Sequence, residues 1–337
     1  MKILVSDIGG TNSRFAYFEM ENIHDMTLHG SLSFKTTSRN IHSFTDLLTH
    51  FSSIKTPEFE ELSNYDVGVF AIAGPVRGTR CSPPNIKWEI DVSRIGEIKC
   101  LLVNDFVAQA YGCLVPSISK TMVQIKEGAP LPSGTIAIVG AGTGLGHCAL
   151  LPHDESAGQP KGFTPIPSEG GHAAFPFHGD DEFSFEQFLC DKMKILYGYG
   201  DIIISGRGLS LIHEFLTGEE LEPKIIADNF ESNAKTLQWF ARFYGRACRN
   251  YALYVHASGG LIVSGGIAAK NPVIVESASF LQEFVNSLTQ GDLLARIPIH
   301  LNRHEDIGLL GGAYYGLLSQ MSTQKQIVHP KLGQSPL

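Results

Sequence analysis

The chain has 337 residues, 43% of them hydrophobic and 18% charged, with a formal net charge of -8 at pH 7. That length points to two domains, and that composition supplies a core and excludes wholesale disorder. The negative balance, with no run rich in Lys or Arg, argues against a nucleic-acid surface and fits a protein that handles small molecules.

Residues 3–6 form a short apolar run, a predicted strand that ends at Asp7. The turn Gly9-Gly10-Thr11-Asn12 follows, and Phe15-Ala16-Tyr17-Phe18 favours a second strand. A dinucleotide-binding unit would place a helix after that turn instead. Ile41, Phe44, Leu47, Leu48 and Phe51 predict a helix over 41–54. Val67 to Ala73 reads as a buried strand stopped by Gly74-Pro75. Leu101-Leu102-Val103 is a further strand, with Asn104 and Asp105 at its C-terminal end and a short helix over 106–111. The opening pattern then recurs: a strand at 135–139, a glycine loop from Gly140 to Gly146, and an extended run at 147–151. Two such units predict a duplicated architecture. Helices are expected over 184–197, 207–217, 223–230 and 233–257. A strand at 261–264 runs into Gly265-Gly266, another covers 297–301, and a last helix covers 306–320. No Pro/Ser-rich linker intervenes, so an α/β fold in two lobes joined by a stiff hinge is expected.

The six cysteines show no zinc spacing and are expected to be inert thiols in a reducing compartment. The N-terminal apolar run is too short for a secretory signal, and no stretch could span a bilayer. The expected location is the cytoplasm, with neither membrane nor nucleic acid as a partner.

Backbone N–H groups in a glycine turn form a concave donor surface suited to phosphate oxygens. Both loops also carry a threonine, Thr11 and Thr143, whose hydroxyl can donate. A single such loop is as readily a tight hairpin; two, each ending a buried strand, point to phosphate. Gly144 to Ala149 also matches the G-x-G-x-x-G/A fingerprint, but an extended run follows it rather than a helix. Asp105, at a strand's C-terminal edge, either accepts a proton from an attacking hydroxyl or caps the helix behind it. Ser168-Glu169-Gly170-Gly171-His172 can bend sharply and turn Glu169 and His172 toward a polyol, or simply form a polar surface turn. Its E-x-x-H spacing lacks a third metal ligand. Asp7, beside the first loop, could hold the hydration shell of Mg²⁺ or shape the turn.

Taken in order, seven segments closely resemble the bacterial glucokinase family. They are Asp7 to Asn12, Asn104-Asp105-Phe106, Gly140 to Gly146, Ser168 to His172, Ser205 to Leu209, Ser264 to Ile267 and Leu309 to Ala313. The resemblance implies a two-lobed actin-like ATPase (ribonuclease H-like) α/β fold with a cleft between lobes. The expected small lobe is 1–114 plus 306–337, and the large lobe is 115–305. The implied activity is phosphorylation of glucose at its 6-hydroxyl with ATP and Mg²⁺, Asp105 being the base. Asn85, Asn104, Asp105, Glu169 and His172 match sugar positions. Gly9, Gly10, Thr11 and Asn12 match the first phosphate loop. Gly142, Thr143 and Gly144 match the second, and Gly265 and Gly266 match a turn near the adenosine. Asp7 matches the acidic position near Mg²⁺, contacted through water. Two positions depart from the pattern. Asp201 stands where the family carries a sugar-contacting glutamate, and Arg207 stands for a usual proline. The resemblance also implies a homodimer. A zinc motif found in related sugar kinases and repressors is absent, as is any DNA-binding extension before Met1, which favours an enzyme over a regulator. The alternatives left open are a kinase for another hexose, a non-catalytic sugar sensor and an NAD-linked oxidoreductase.

Overall fold

The computed structural model describes residues 1–37, 40–96, 98–154 and 162–328, with side chains to 321. The end of the expected small lobe, 329–337, lies outside the described residues. The chain divides into two units. One comprises Met1–Lys120 with the segment from Asp306 onward, and the other Thr121–His153 with Phe163–Glu305.

In the first unit the chain runs β1 (Lys2–Ile8), β2 (Asn12–Asn22), β3 (Asp25–Lys35), α1 (Phe44–Ser53) and β4 (Val67–Ile72). A small ladder of β5 (Val76–Arg77), β6 (Arg80–Cys81) and β7 (Ile90–Asp91) leads to β8 (Lys99–Asn104), α2 (Asp105–Cys113) and α3 (Pro116–Ser119). The sheet order is β3-β2-β1-β4-β8. β1 pairs antiparallel with β2 and parallel with β4, which is parallel to β8. The alternation of side chains sends Leu4, Phe15, Phe70 and Ile72 to one face, under Phe44, Leu47 and Phe51 of α1. Ile3, Val5, Val69 and Val103 go to the other face, under α2 and the C-terminal helix. β4 is therefore buried throughout, as its unbroken apolar run requires.

The second unit contains β9 (Val123–Lys126), β10 (Ile136–Ala141), β11 (Leu145–His153), β12 (Gly162–Ser168), α4 (Gly179–Met193), α5 (Gly200–Ile203), α6 (Gly206–Thr217), α7 (Pro223–Ala227) and α8 (Ala234–Tyr254). It continues with β13 (Gly260–Ser264), α9 (Gly266–Lys270), α10 (Val273–Glu276), α11 (Ala278–Val285), α12 (Gly291–Arg296) and β14 (Ile299–Leu301). Its sheet order is β12-β11-β10-β13-β14-β9. The leading hairpin is again antiparallel, and β10, β13 and β14 are again parallel. α13 (Ile307–Val328) returns to the first unit.

Among the described residues six strands escape the sequence reading: β3, the two-residue β5, β6 and β7, β9 and β12. β3 is a sheet-edge strand, mostly exposed, in which Met26, Leu28, Leu32 and Phe34 alternate with polar residues; the sequence reading passed over that alternation. The helix expected over 184–197 is α4, shifted toward the N-terminus. Its first turn is acidic, and Glu182 there is buried as an ion partner rather than as an apolar contact. It stops at Met193 because Lys194 takes a left-handed conformation, φ 57°, which a reader of sequence expects of glycine.

α2 and α13 touch backbone to backbone. A Cβ on Gly311 would lie 1.8 Å from the Ala108 carbonyl oxygen and 2.4 Å from the Gly112 nitrogen. This contact fixes the axis of α2 and with it the placement of Asp105 at the first helical residue. Gly311→Ala is expected to cost about 1–3 kcal/mol through overpacking. Gly308→Ala, where the nearest side-chain atom is 3.9 Å away, should cost little. Equilibrium unfolding in urea checks both.

Candidate active site

In the first unit the candidate residues gather at the edge where β1, β4 and β8 end together, with Ile8 level with Ile72 and Ile72 level with Asn104. Such C-terminal edges are where α/β sheets bind ligands. The Gly9–Thr11 turn closes with Gly9 N–H donating to Asn12 O at 3.0 Å. Thr36 holds it from behind: its amide donates to Thr11 O at 3.0 Å and its hydroxyl to Gly9 O at 2.7 Å. Thr11 and Asn12 are exposed. Asp7 Oδ2 lies 3.2 Å from Arg14 Nη2, and Arg14 Nη1 reaches Asp306 at 3.0 Å.

The helix cap is Asn104 rather than Asp105. Asn104 Oδ1 accepts from Phe106 N at 2.9 Å and Val107 N at 3.2 Å. Its Nδ2 donates to Gly74 O at 3.1 Å. Asp105 is thereby released from capping and sits in the first turn of α2, half-buried, with Oδ1 accepting from Phe106 N at 2.9 Å. A run of contacts links its neighbour Asn104 to the first loop. Gly74 lies against Pro84, and Asn85 packs on Gly10, where a Cβ would stand 2.7 Å from Asn85 Cβ. The structure thus joins Asp7, Gly9, Gly10, Thr11, Asn12, Asn85, Asn104 and Asp105 along one edge of one unit.

In the second unit the residue that ties the site together is Leu145, at the start of β11. Its amide donates to Asp201 Oδ1 at 2.8 Å. Gly171 of the polar turn lies against its carbonyl oxygen. A Cβ on Gly144 would fall 2.0 Å from Asp201 Oδ1, so a larger residue there would displace the Asp201 carboxylate. Asp201 therefore braces the second loop with one oxygen. That loop closes with Gly142 N–H donating to Gly144 O at 2.8 Å, and Gly206 N–H donates to Gly142 O at 3.1 Å. Thr143 is exposed, and open space lies over Gly142 and Gly266. Gly265 turns at φ 87° beside Ala141. Glu169 and His172 are exposed, with Oε2 and Nε2 3.6 Å apart. Arg207 is exposed in the first turn of α6. The fingerprint at Gly144 is followed by strand β11, so it lacks the helix a dinucleotide site needs.

A glucokinase family model matches residues 4–318. The chain belongs to the glucokinase family. A glucokinase of Nostoc sp. strain PCC 7120 is 29% identical over 347 residues, covering 92% of this chain and 97% of that protein. Among solved structures, a glucokinase from an Antarctic psychrotroph superposes with TM-score 0.75 at 24% identity, over 94% of this chain and 99% of that one. A Balamuthia mandrillaris glucokinase in complex with glucose gives 0.77 at 21% identity, over 93% and 92%. These glucokinase folds agree with the α/β architecture found here. Among the described residues no helix is long and apolar enough to cross a membrane.

Arg14, Thr36 and His147 were not singled out from sequence. Arg14 could have been found as the cross-strand partner of Asp7 once the hairpin register was assumed. Thr36 and His147 carry no local signal. His147 is buried beside the Ser168–His172 turn, its ring 4.5 Å from that of Tyr251 and its Nδ1 without a partner. The Tyr251 hydroxyl bonds Ser168, whose Oγ accepts from Gly170 N at 3.1 Å. Burial, with a smaller effect of His172, pushes the His147 imidazole from its usual 6.5 down to about 4. The unfolded chain therefore takes up this proton first as pH falls. Stability should be full above pH 6.5 and decline toward about pH 4, by at most about 3 kcal/mol. His147→Asn is expected to remove that part of the slope when urea midpoints are measured across this range.

Proposed function

We propose that the chain transfers the γ-phosphoryl group of ATP to the 6-hydroxyl of glucose with Asp105 as general base. Family membership makes it an ATP-dependent glucose kinase; the residue roles are our reading. The observation that carries this reading is the series of contacts from Asn104, the cap that precedes Asp105, through Gly74, Pro84 and Asn85 to Gly10. It sets a carboxylate and a phosphate-type loop on one sheet edge.

Phosphoryl transfer asks chiefly for positioning, charge neutralisation and one base. Asn104 takes the capping duty of α2, and the Asp105 carboxylate beside it is our candidate for accepting the hydroxyl proton. Asn104 Oδ1 already accepts two amide hydrogens, so Asn104 addresses a sugar oxygen through Nδ2. Asn85, Glu169 and His172 supply further hydroxyl contacts, and Asp201 contributes through its Oδ2. In the Gly9–Asn12 and Gly142–Gly144 loops the amides other than those of Gly9 and Gly142, which close the turns, take phosphate oxygens, and Gly265 and Gly266 border the adenosine.

Asp7 is the residue that would hold Mg²⁺. One carboxylate beside a phosphate loop fits a cation that keeps several waters and takes its other ligands from phosphates. Bound there through water, the cation would neutralise phosphate charge during transfer. The same resemblance supports a homodimer working in the cytoplasm.

A coupled assay over a panel of hexoses tests the reading. Glucose with Mg-ATP should yield glucose 6-phosphate and ADP in equal amounts. Asp201, one methylene shorter than the family's glutamate, makes other hexoses the alternative worth the panel. Asp105→Ala should lose about 10²–10⁴ in kcat, the range of general-base catalysis, while calorimetric glucose binding persists. Near-normal turnover in that variant would remove Asp105 from the role of base.

A further inference from the structure

β10 and β13 run parallel, and their last level pair is Gly140 with Ser264. Beyond it the ladder cannot continue. β13 turns at Gly265, φ 87°, so close to Ala141 that a Cβ would stand 2.5 Å from its carbonyl oxygen and 2.8 Å from its nitrogen. The buried Ala141 amide is left without a strand partner, a loss that native interiors rarely tolerate. The partner comes from α8. Tyr244 OH accepts from Ala141 N at 3.1 Å and donates to Ser264 O at 3.4 Å.

We propose that Tyr244 is a positioning residue for the nucleotide: its hydroxyl sets the spacing of the two strand ends from which the Gly142–Gly144 loop and the Gly265–Gly266 turn depart. This rests on the reading that these two turns hold ATP. Tyr244 is fully buried, and burial raises its phenol far above the ordinary value, so the hydroxyl keeps its proton and can donate and accept at once. The ring is held edge-on by Phe280, 5.8 Å between centroids, and by Phe240 at 6.4 Å. Two residues further along α8, Arg246 is fixed by Glu182 and Glu283. One rigid oxygen atom therefore ties Ala141, which precedes the loop, to Ser264, which precedes the turn. Without it, Ala141 and Ser264 keep only the ladder below them, and amides aimed at phosphate lose their alignment.

The test compares three variants by steady-state kinetics. Tyr244→Phe should raise KM for ATP by about three- to tenfold, the worth of one hydrogen bond, with KM for glucose within about twofold of wild type. Phe280→Leu, which loosens the same packing but leaves the hydroxyl in place, should lower Tm and leave KM for ATP alone. Gly142→Val fills open space over the second loop and tests the underlying reading; it should raise KM for ATP with little loss of Tm. If Gly142→Val raises KM for ATP and Tyr244→Phe does not, Tyr244 has no positioning role although the loop reading stands. If neither raises it, the loop reading fails and the inference with it. An equal rise in both KM values for Tyr244→Phe would mark a merely structural residue and also overturn it. Hydrogen exchange on the wild-type protein serves if Tyr244→Phe does not fold. The Ala141 amide should be among the slowest in the second unit, with or without ATP, and fast exchange there would refute the bond.

Discussion

A parallel strand that ends leaves backbone N–H and C=O groups with no ladder partner, and a buried group left so costs about 1–3 kcal/mol. In this chain side chains take those groups at each candidate site edge. Thr36 holds Gly9 O, Asn104 holds the first amides of α2 and Gly74 O, Asp201 holds Leu145 N, and Tyr244 holds Ala141 N and Ser264 O. The candidate loops are thus anchored at their roots while Thr11 and Thr143 stay exposed at their tips. The side chains that satisfy the strand ends are thus the ones that hold the roots of the candidate loops.

The two sheets repeat one connectivity. The order β3-β2-β1-β4-β8 in the first unit matches β12-β11-β10-β13-β14 in the second, with an antiparallel hairpin and then two parallel additions. The chemistry laid on the repeats differs. In the first unit the third parallel strand ends in Asn104 and runs directly into a helix bearing Asp105. In the second, β14 ends at Leu301, and buried Asn302 follows, its Nδ2 donating to Ser264 Oγ at 3.3 Å and to His304 O. The same position therefore leads into a helix whose first residue is the candidate carboxylate Asp105 in one repeat and closes a strand end in the other.

Much of this was legible in the amino-acid order. Glycines mark turns whatever the tertiary structure, so both loops and the Gly265–Gly266 turn could be placed from sequence. Buried strands such as β4 and β13 show as unbroken apolar runs. Long amphipathic helices such as α6 and α8 show their period, although their ends shift by a few residues. What stayed hidden depends on distant pairs. Whether Asn104 or Asp105 caps α2 is decided by which side chain reaches two amides, not by residue type, since both are good caps. Thr36 lies 27 residues from Gly9, and Tyr244 lies 103 residues from Ala141. No local pattern carries such information. Asp201 shows the same limit: its bond to the Leu145 amide joins residues 56 apart, and no local pattern announces it.

α8 bears a second kind of constraint, which explains why Tyr244 can be exact in position. Arg246 is 2% exposed and gives Nε to Glu283 at 2.8 Å, Nη2 to Glu182 at 3.0 Å and Nη1 to Pro176 O at 2.8 Å. Burial opposes the charge on Glu182, but the hydrogen bonds from Arg246 and the His178 amide, with the charges of Arg246 and Arg242, together outweigh it and hold the carboxyl below its usual range. Such a network adds little net stability over apolar packing, yet losing one partner costs about 3–5 kcal/mol. A helix that slid or rotated by a fraction of a turn would break all of these contacts together. The penalty for displacing α8 is then several times the worth of the Tyr244 hydrogen bonds, about 1 kcal/mol each. A weak contact can define geometry only when its support is stiffer than itself. Here the buried ion network is the support, and the hydroxyl carried two residues earlier on the helix is what it positions.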